Sequence, residues 1–154
     1  MRKRLLEFLA CPDCGSDIKG EFEVELLEGE LECVGCRRTF SVEQGVPNLL
    51  PANLNAESAL VAEQFADQWR HYSERRAEYR RQLLDWLSPV EEEFFRGKVV
   101  LDGGCGKGRH LLATSDFEPS LVVGVDFGGA AYVAKAACAG RENVEVVRGD
   151  MLCL

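Results

Sequence analysis

Lys98-Val99-Val100-Leu101-Asp102-Gly103-Gly104-Cys105-Gly106-Lys107-Gly108-Arg109-His110 decides how this 154-residue chain folds. A short apolar run closes on an acid, alternate glycines follow, and a helix-compatible stretch opens at Arg109. Strand, glycine loop and helix in that order make the front of a nucleotide-binding βαβ unit. Downstream, Leu121–Val125 reads as a second strand ending at Asp126. Small residues from Gly129 to Ala139 read as a helix, and Asn143–Val147 as a third strand ending near Asp150. The expectation for 98–154 is therefore half of a Rossmann-like α/β sheet, with strand order 3-2-1.

The loop excludes two common ligands. Gly106-Lys107 lacks the earlier glycine and the following Ser or Thr of a P-loop, and no G-x-G-x-x-G fingerprint starts at Gly104 or Gly106. What stands here is an acid followed by three alternate glycines, from Asp102 through Gly104 and Gly106 to Gly108. A carboxylate at that strand end repels a pyrophosphate and suits a ligand carrying an ammonium and a sulfonium. Asp126 lies 18 residues beyond Gly108, at the tip of the neighbouring strand, where a carboxylate accepts ribose hydroxyls. Asp150 closes the third strand on the same edge, within reach of an adenine amino group.

With those residues in place, Val99–His110 resembles the first motif of class I S-adenosylmethionine-dependent methyltransferases, Val122–Gly128 their second, and Asn143–Leu154 their third. The resemblance implies that Asp102, Gly104, Gly106 and Gly108, with Cys105 in the same loop, hold the methionyl part of S-adenosylmethionine. It implies that Asp126 binds the ribose, that Phe127 packs on adenine, and that Asp150 with Met151 borders the base. The implied activity is methyl transfer to a small-molecule, protein or RNA acceptor, with the protein holding donor and acceptor in line. No general base is evident, and His110 is expected only to shape the cleft. The family's sheet has seven strands, of which three are read here. The Val99–Leu101 strand is thus expected to present an unpaired edge, open to another chain.

Seven cysteines include the pairs Cys11-Pro12-Asp13-Cys14 and Cys33-Val34-Gly35-Cys36, with 18 residues between them. Two thiolates two residues apart sit on one knuckle, and a hairpin brings round the second to complete a tetrahedron for Zn²⁺. Two disulfides or a redox pair are the competing readings, disfavoured without a secretory signal and with two pairs flanking one hairpin. No open coordination position is implied, so the zinc is structural. Phe22, Val24 and Leu26 alternate with Glu21, Glu23 and Glu25 and predict a strand. Glu28-Gly29 reads as the turn, Leu31 and Cys33 as the return strand, and Thr39–Val42 as a third strand ended by Gln44-Gly45. Residues 1–50 resemble zinc ribbons fused to some bacterial methyltransferases, and the ribbon of tRNA-methyltransferase activator subunits.

Residues 51–97 join the two parts. Val46–Pro51 closes the ribbon, 52–56 reads as a linker, and 56–87 as a helix stopped by Ser88-Pro89. Phe65, Trp69, Tyr72, Tyr79, Leu83 and Trp86 form its stripe, expected to pack on the following domain, with arginines as its rim and His71 at the surface. Phe65–Trp69 is similar to the segment that such fusions carry before the catalytic domain.

Lys and Arg number 18 against 26 Asp and Glu, for a formal charge of −8 spread along the chain. Such a chain is a poor general binder of nucleic acid or anionic membrane. No run approaches the roughly 20 apolar residues of a membrane span. Met1–Cys11 reads as a short amphipathic helix, since Glu7 breaks its apolar run, and the expected location is the cytoplasm. The alternative to the enzyme is a non-catalytic module that binds a protein or RNA partner through the ribbon, beside an incomplete catalytic domain.

Overall fold

The N-terminus folds back on its own hairpin. The computed structural model describes residues 1–54 and 78–153. A 3-10 turn over Lys3–Phe8, where the sequence suggests an amphipathic helix, leads to β1 (Ile18–Lys19), β2 (Gly29–Cys33), β3 (Thr39–Glu43) and β4 (Val46–Leu49). These four strands pair antiparallel in sequence. Gln44 and Gly45, both at positive φ (53° and 73°), make the β3–β4 turn that Gln44-Gly45 predicts.

The strand expected over Glu21–Leu26 is not formed. Met1 and Lys3 capture that segment instead: the Met1 amine donates to the Leu26 carbonyl (2.7 Å) and the Lys3 amide to Val24 O (3.1 Å). Phe22 and Leu26 still pack against the core, while Val24 is exposed.

Beyond the linker come α1 (Glu78–Leu87), β5 (Val99–Gly103), α2 (Arg109–Ser115), β6 (Leu121–Asp126), α3 (Ala130–Ala137) and β7 (Val144–Gly149). The three strands are parallel in the order β7-β6-β5, where the sequence places them. Phe65, Trp69, His71 and Tyr72, and most of the expected helix, lie outside the described residues. Within the described part, Leu83 is buried with Phe95, Ala113 and Phe117, whereas Trp86 is 59% exposed, with His110 edge-on to its ring and the Arg109 guanidinium over it (5.6 Å).

β4 joins the two halves. It pairs antiparallel with β3 on one side and parallel with β7 on the other, through Asn48 opposite Arg148 and Leu49 opposite Gly149. The result is one mixed sheet in the order β1-β2-β3-β4-β7-β6-β5. Residue alternation then divides the faces. Leu121, Val123, Val125 and Val147 share a core with Met1, Leu5, Leu9, Leu31 and Phe40 of the ribbon. Val122, Val144 and Val146 pack with Leu111, Ala131 and Ala134 of the helices, and with Val46. The ribbon thus covers the face of the parallel strands that the helices leave bare, meeting the need of such strands for cover on both sides.

Among the described residues β5 ends the sheet, with Val99 (52%) and Leu101 (57%) exposed. No described helix is long and apolar enough to cross a membrane.

Candidate functional site

Two knuckles build the metal centre. Around the first, the Cys11 amide donates to Ser16 O (2.8 Å) and the Gly15 amide to Cys11 O (2.8 Å). Around the second, the Cys33 amide donates to Arg38 O (2.9 Å) and the Arg37 amide returns to Cys33 O (3.2 Å). The turns face each other, and all four Sγ atoms of Cys11, Cys14, Cys33 and Cys36 lie within 4.8 Å of one another. Cys11 and Cys36 are 3.7 Å apart, and Cys14 and Cys33 3.5 Å. Ligands about 2.3 Å from a tetrahedral zinc stand about 3.8 Å from each other, close to the two separations seen here, so the set suits Zn²⁺.

Electrostatics around the two thiols of the first knuckle differ sharply. Burial pushes the Cys11 thiol up to about 12, whereas the Ser16 hydroxyl and amide hold Cys14 down at about 6. The Cys36 amide points at Cys33 Sγ (3.4 Å), an outer contact that orients a thiolate. Arg38 ties the knuckles together. It pairs with Asp13, donates to Leu50 O (2.9 Å) and lies over the Phe40 ring (4.8 Å). Asp13 also accepts from the Ala52 amide (2.8 Å), and the Ala52 and Arg38 bonds hold its carboxyl below the usual range. Arg38 and Asp13 escape a reading of the cysteine spacing.

A second unforeseen group locks the halves together. Glu145 of β7 is fully buried. Its Oε1 accepts from the Arg2 amide (3.1 Å) and guanidinium (3.3 Å), and its Oε2 from Lys135 Nζ (3.3 Å). An acid inside the apolar run Val144-Glu145-Val146 is the signal that could have found it.

The glycine loop follows β5. The Gly104 and Cys105 amides donate to Val125 O (2.8 and 3.0 Å), and the Gly108 amide to Cys105 O (2.9 Å). These donors are spent inside the protein, as suits a loop that does not cradle phosphates. Gly108 sits at φ +80°, and a Cβ there would stand 3.1 Å from Ala134 Cα, so glycine lets α2 and α3 approach. Asp126 accepts from the Gly106 amide (2.9 Å) and the Gly128 amide (3.0 Å), which fixes its carboxylate at the tip of β6.

Asp102 is placed differently. Its Oδ2 is buried with no partner, and burial pushes the carboxyl up to about 6, against the pull of Arg109. That orphaned acceptor beside the loop fits a cationic ligand group. Asp150 accepts from the Leu152 amide (2.9 Å), and the Met151 side chain lies against Gly103. Cys105 is buried, and burial raises its thiol far above its ordinary range. Phe127 is half-buried and its carbonyl accepts from Arg148 (3.2 Å).

Four converging cysteines on two knuckles, held by a small hairpin sheet, define a zinc-ribbon module. The Trm112p-like protein family matches residues 2–45. UPF0434 proteins of Bordetella pertussis, Bordetella parapertussis and Bordetella bronchiseptica are each 41% identical to the chain over 61 residues, which is 38% of this chain and 92% of the relative. Through this N-terminal segment the chain belongs to the Trm112p-like/UPF0434 zinc-ribbon family.

Proposed function

We propose that the ribbon is a non-catalytic, protein-binding module, and that its zinc-held hairpin grips the edge of an α/β sheet, here the sheet of its own chain. The observation that carries this reading is β4, which completes the ribbon through β3 and extends the parallel strands through β7. The buried Glu145 bridge and the shared apolar core add to the grip. Membership of the Trm112p-like family supports a partner-binding role, because such ribbons resemble methyltransferase activator subunits. Four thiolates saturate the zinc, which leaves the metal to shape the ribbon rather than to react.

Hydrogen exchange on the zinc-loaded chain, before and after chelation, tests this. Zinc removal is expected to expose the amides of β7 next to β4, around Arg148 and Gly149, together with those of the ribbon. Unchanged protection of β7 after the ribbon melts would refute it.

Asp102 favours a second reading, a methyltransferase-type site. On it, Asp102 and the loop of Gly104, Gly106 and Gly108 would hold the methionyl end of S-adenosylmethionine. Asp126 would take the ribose, and Phe127, Asp150 and Met151 would border the adenine. The cofactor would supply an electrophilic methyl group, and these residues would bind and orient it. The unpartnered Asp102 Oδ2 supports this, since an ammonium would satisfy it. The expected result is saturable calorimetric binding of S-adenosylhomocysteine to the zinc-loaded chain, at least tenfold weaker in Asp126→Ala. No binding by a folded, zinc-loaded chain would eliminate the reading.

A further inference from the structure

The two knuckles are joined by more than a metal. Asp13 stands between the cysteines of the first knuckle, and Arg38 lies two residues beyond Cys36 of the second. Their side chains pair from one knuckle to the other. Each then reaches further, to the chain that leaves β4. Asp13 Oδ1 accepts from the Ala52 amide (2.8 Å), and Arg38 Nη2 donates to Leu50 O (2.9 Å). The Phe40 ring, itself buried, backs the guanidinium at 4.8 Å. Both oxygens of Asp13 and both terminal nitrogens of Arg38 are thus engaged. A lone exposed ion pair holds two long side chains in place for little return. Here one fork serves two acceptors, and a ring fixes its plane.

The bridge stands beside the two ligands that a competitor reaches first. Cys11 and Cys33 are buried, whereas Cys14 and Cys36 are exposed. A chelator strips a four-thiolate site one thiolate at a time, starting with those open to solvent. Asp13 is the chain neighbour of Cys14, and Arg38 closes the turn of Cys36 by accepting the Cys33 amide on its carbonyl (2.9 Å). Neither exposed thiolate can swing out without moving a residue of the bridge. Outer contacts that orient metal ligands typically weigh about 10–100-fold on metal affinity.

We propose that Arg38 and Asp13 are positioning residues of the metal centre. They clasp the two knuckles so that Cys14 and Cys36 resist exchange, and they strap residues 50–52 to the same turns. The proposal rests on zinc occupying the four thiols, and not on the ribbon's grip on β7.

Zinc transfer from the loaded chain to an excess of chromophoric chelator, read as a first-order rate, tests it. Asp13→Ala and Arg38→Gln should each release zinc at least tenfold faster than the parent. Both break one bridge, so the double variant should fall well short of the product of the two effects. Arg38→Lys keeps the charge but gives up the fork that reaches Leu50 O as well, and should release zinc at an intermediate rate. Arg37→Gln is the control. It removes the same charge from the same knuckle, but Arg37 pairs with Glu32 (2.6 Å), the neighbour of Cys33, and spans no gap. Its rate should stay within about twofold of the parent. Hydrogen exchange of loaded Arg38→Gln reads the strap: the Ala52 amide should lose protection although its own acceptor is untouched, while β2 and β3 keep theirs. A parent that takes up no zinc overturns the proposal together with the zinc reading. A loaded parent whose release ignores Asp13→Ala and Arg38→Gln overturns the clasp alone. So does equal acceleration by Arg37→Gln, since charge without a bridge would then explain the effect.

Discussion

Asp102 shows what one residue can reveal about its setting. Its carboxyl is pushed up to about 6 by burial, so the folded chain holds the proton more tightly than the unfolded chain, where an aspartate titrates near 3.8. Whatever Asp102 contributes to stability is therefore fully present below about pH 4 and is lost as pH rises through about 6. Asp102→Asn, which cannot ionise, should match the parent most closely below about pH 4 and exceed it above about pH 7, by about 3 kcal/mol. Urea midpoints at several pH values measure this difference. A gap independent of pH would place the carboxyl in water. Asp126 differs because two amides, from Gly106 and Gly128, already serve its carboxylate. Both acids were legible as strand-end acids, but the motif shows nothing of how differently their surroundings treat the charge.

At the scale of elements, legibility follows the range of the deciding interaction. The cysteine knuckles and the glycine loop are set by neighbours within a few residues, and they stand where the spacing places them. The strands β5, β6 and β7 are equally plain, since apolar runs bounded by acids admit few other readings. The segment Glu21–Leu26 alternates like a strand, yet the N-terminal backbone outcompetes a hairpin partner for its carbonyls, and no local pattern records that contest. β4 is the reverse case. Val46-Pro47-Asn48-Leu49 carries a proline and reads only as the segment that closes the ribbon, but its ladder to β7 begins only at Asn48, so the missing proline amide costs nothing there. Its membership of the sheet is decided by β7, about a hundred residues away, and by the pairing of Glu145 with Arg2 and Lys135. Of the aromatic stripe only its last part lies among the described residues, and there it meets α2: Leu83 is buried with Ala113, and Tyr79 and Trp86 both lie by the Arg109 guanidinium.

Over the whole molecule, the shared sheet and core leave little room for the ribbon and the α/β part to unfold apart. Leu5 belongs to the ribbon's first turn, is fully buried, and packs in one cluster with Leu121, Val123, Val125 and Val147. Replacing it by alanine removes apolar contact from both halves at once and should cost about 2–5 kcal/mol. The position of that loss matters more than its size. If the halves share one cooperative transition, denaturant should release zinc to a chromophoric chelator and abolish the helical circular dichroism at the same midpoint. Leu5→Ala should then lower both midpoints equally. Were the ribbon an appended module with a private core, zinc release alone would move, and the helices α2 and α3 would melt where they do in the parent. Zinc would then shape a tail; coincident midpoints would make it a determinant of the α/β part, acting through β4 and the core that the two parts have in common.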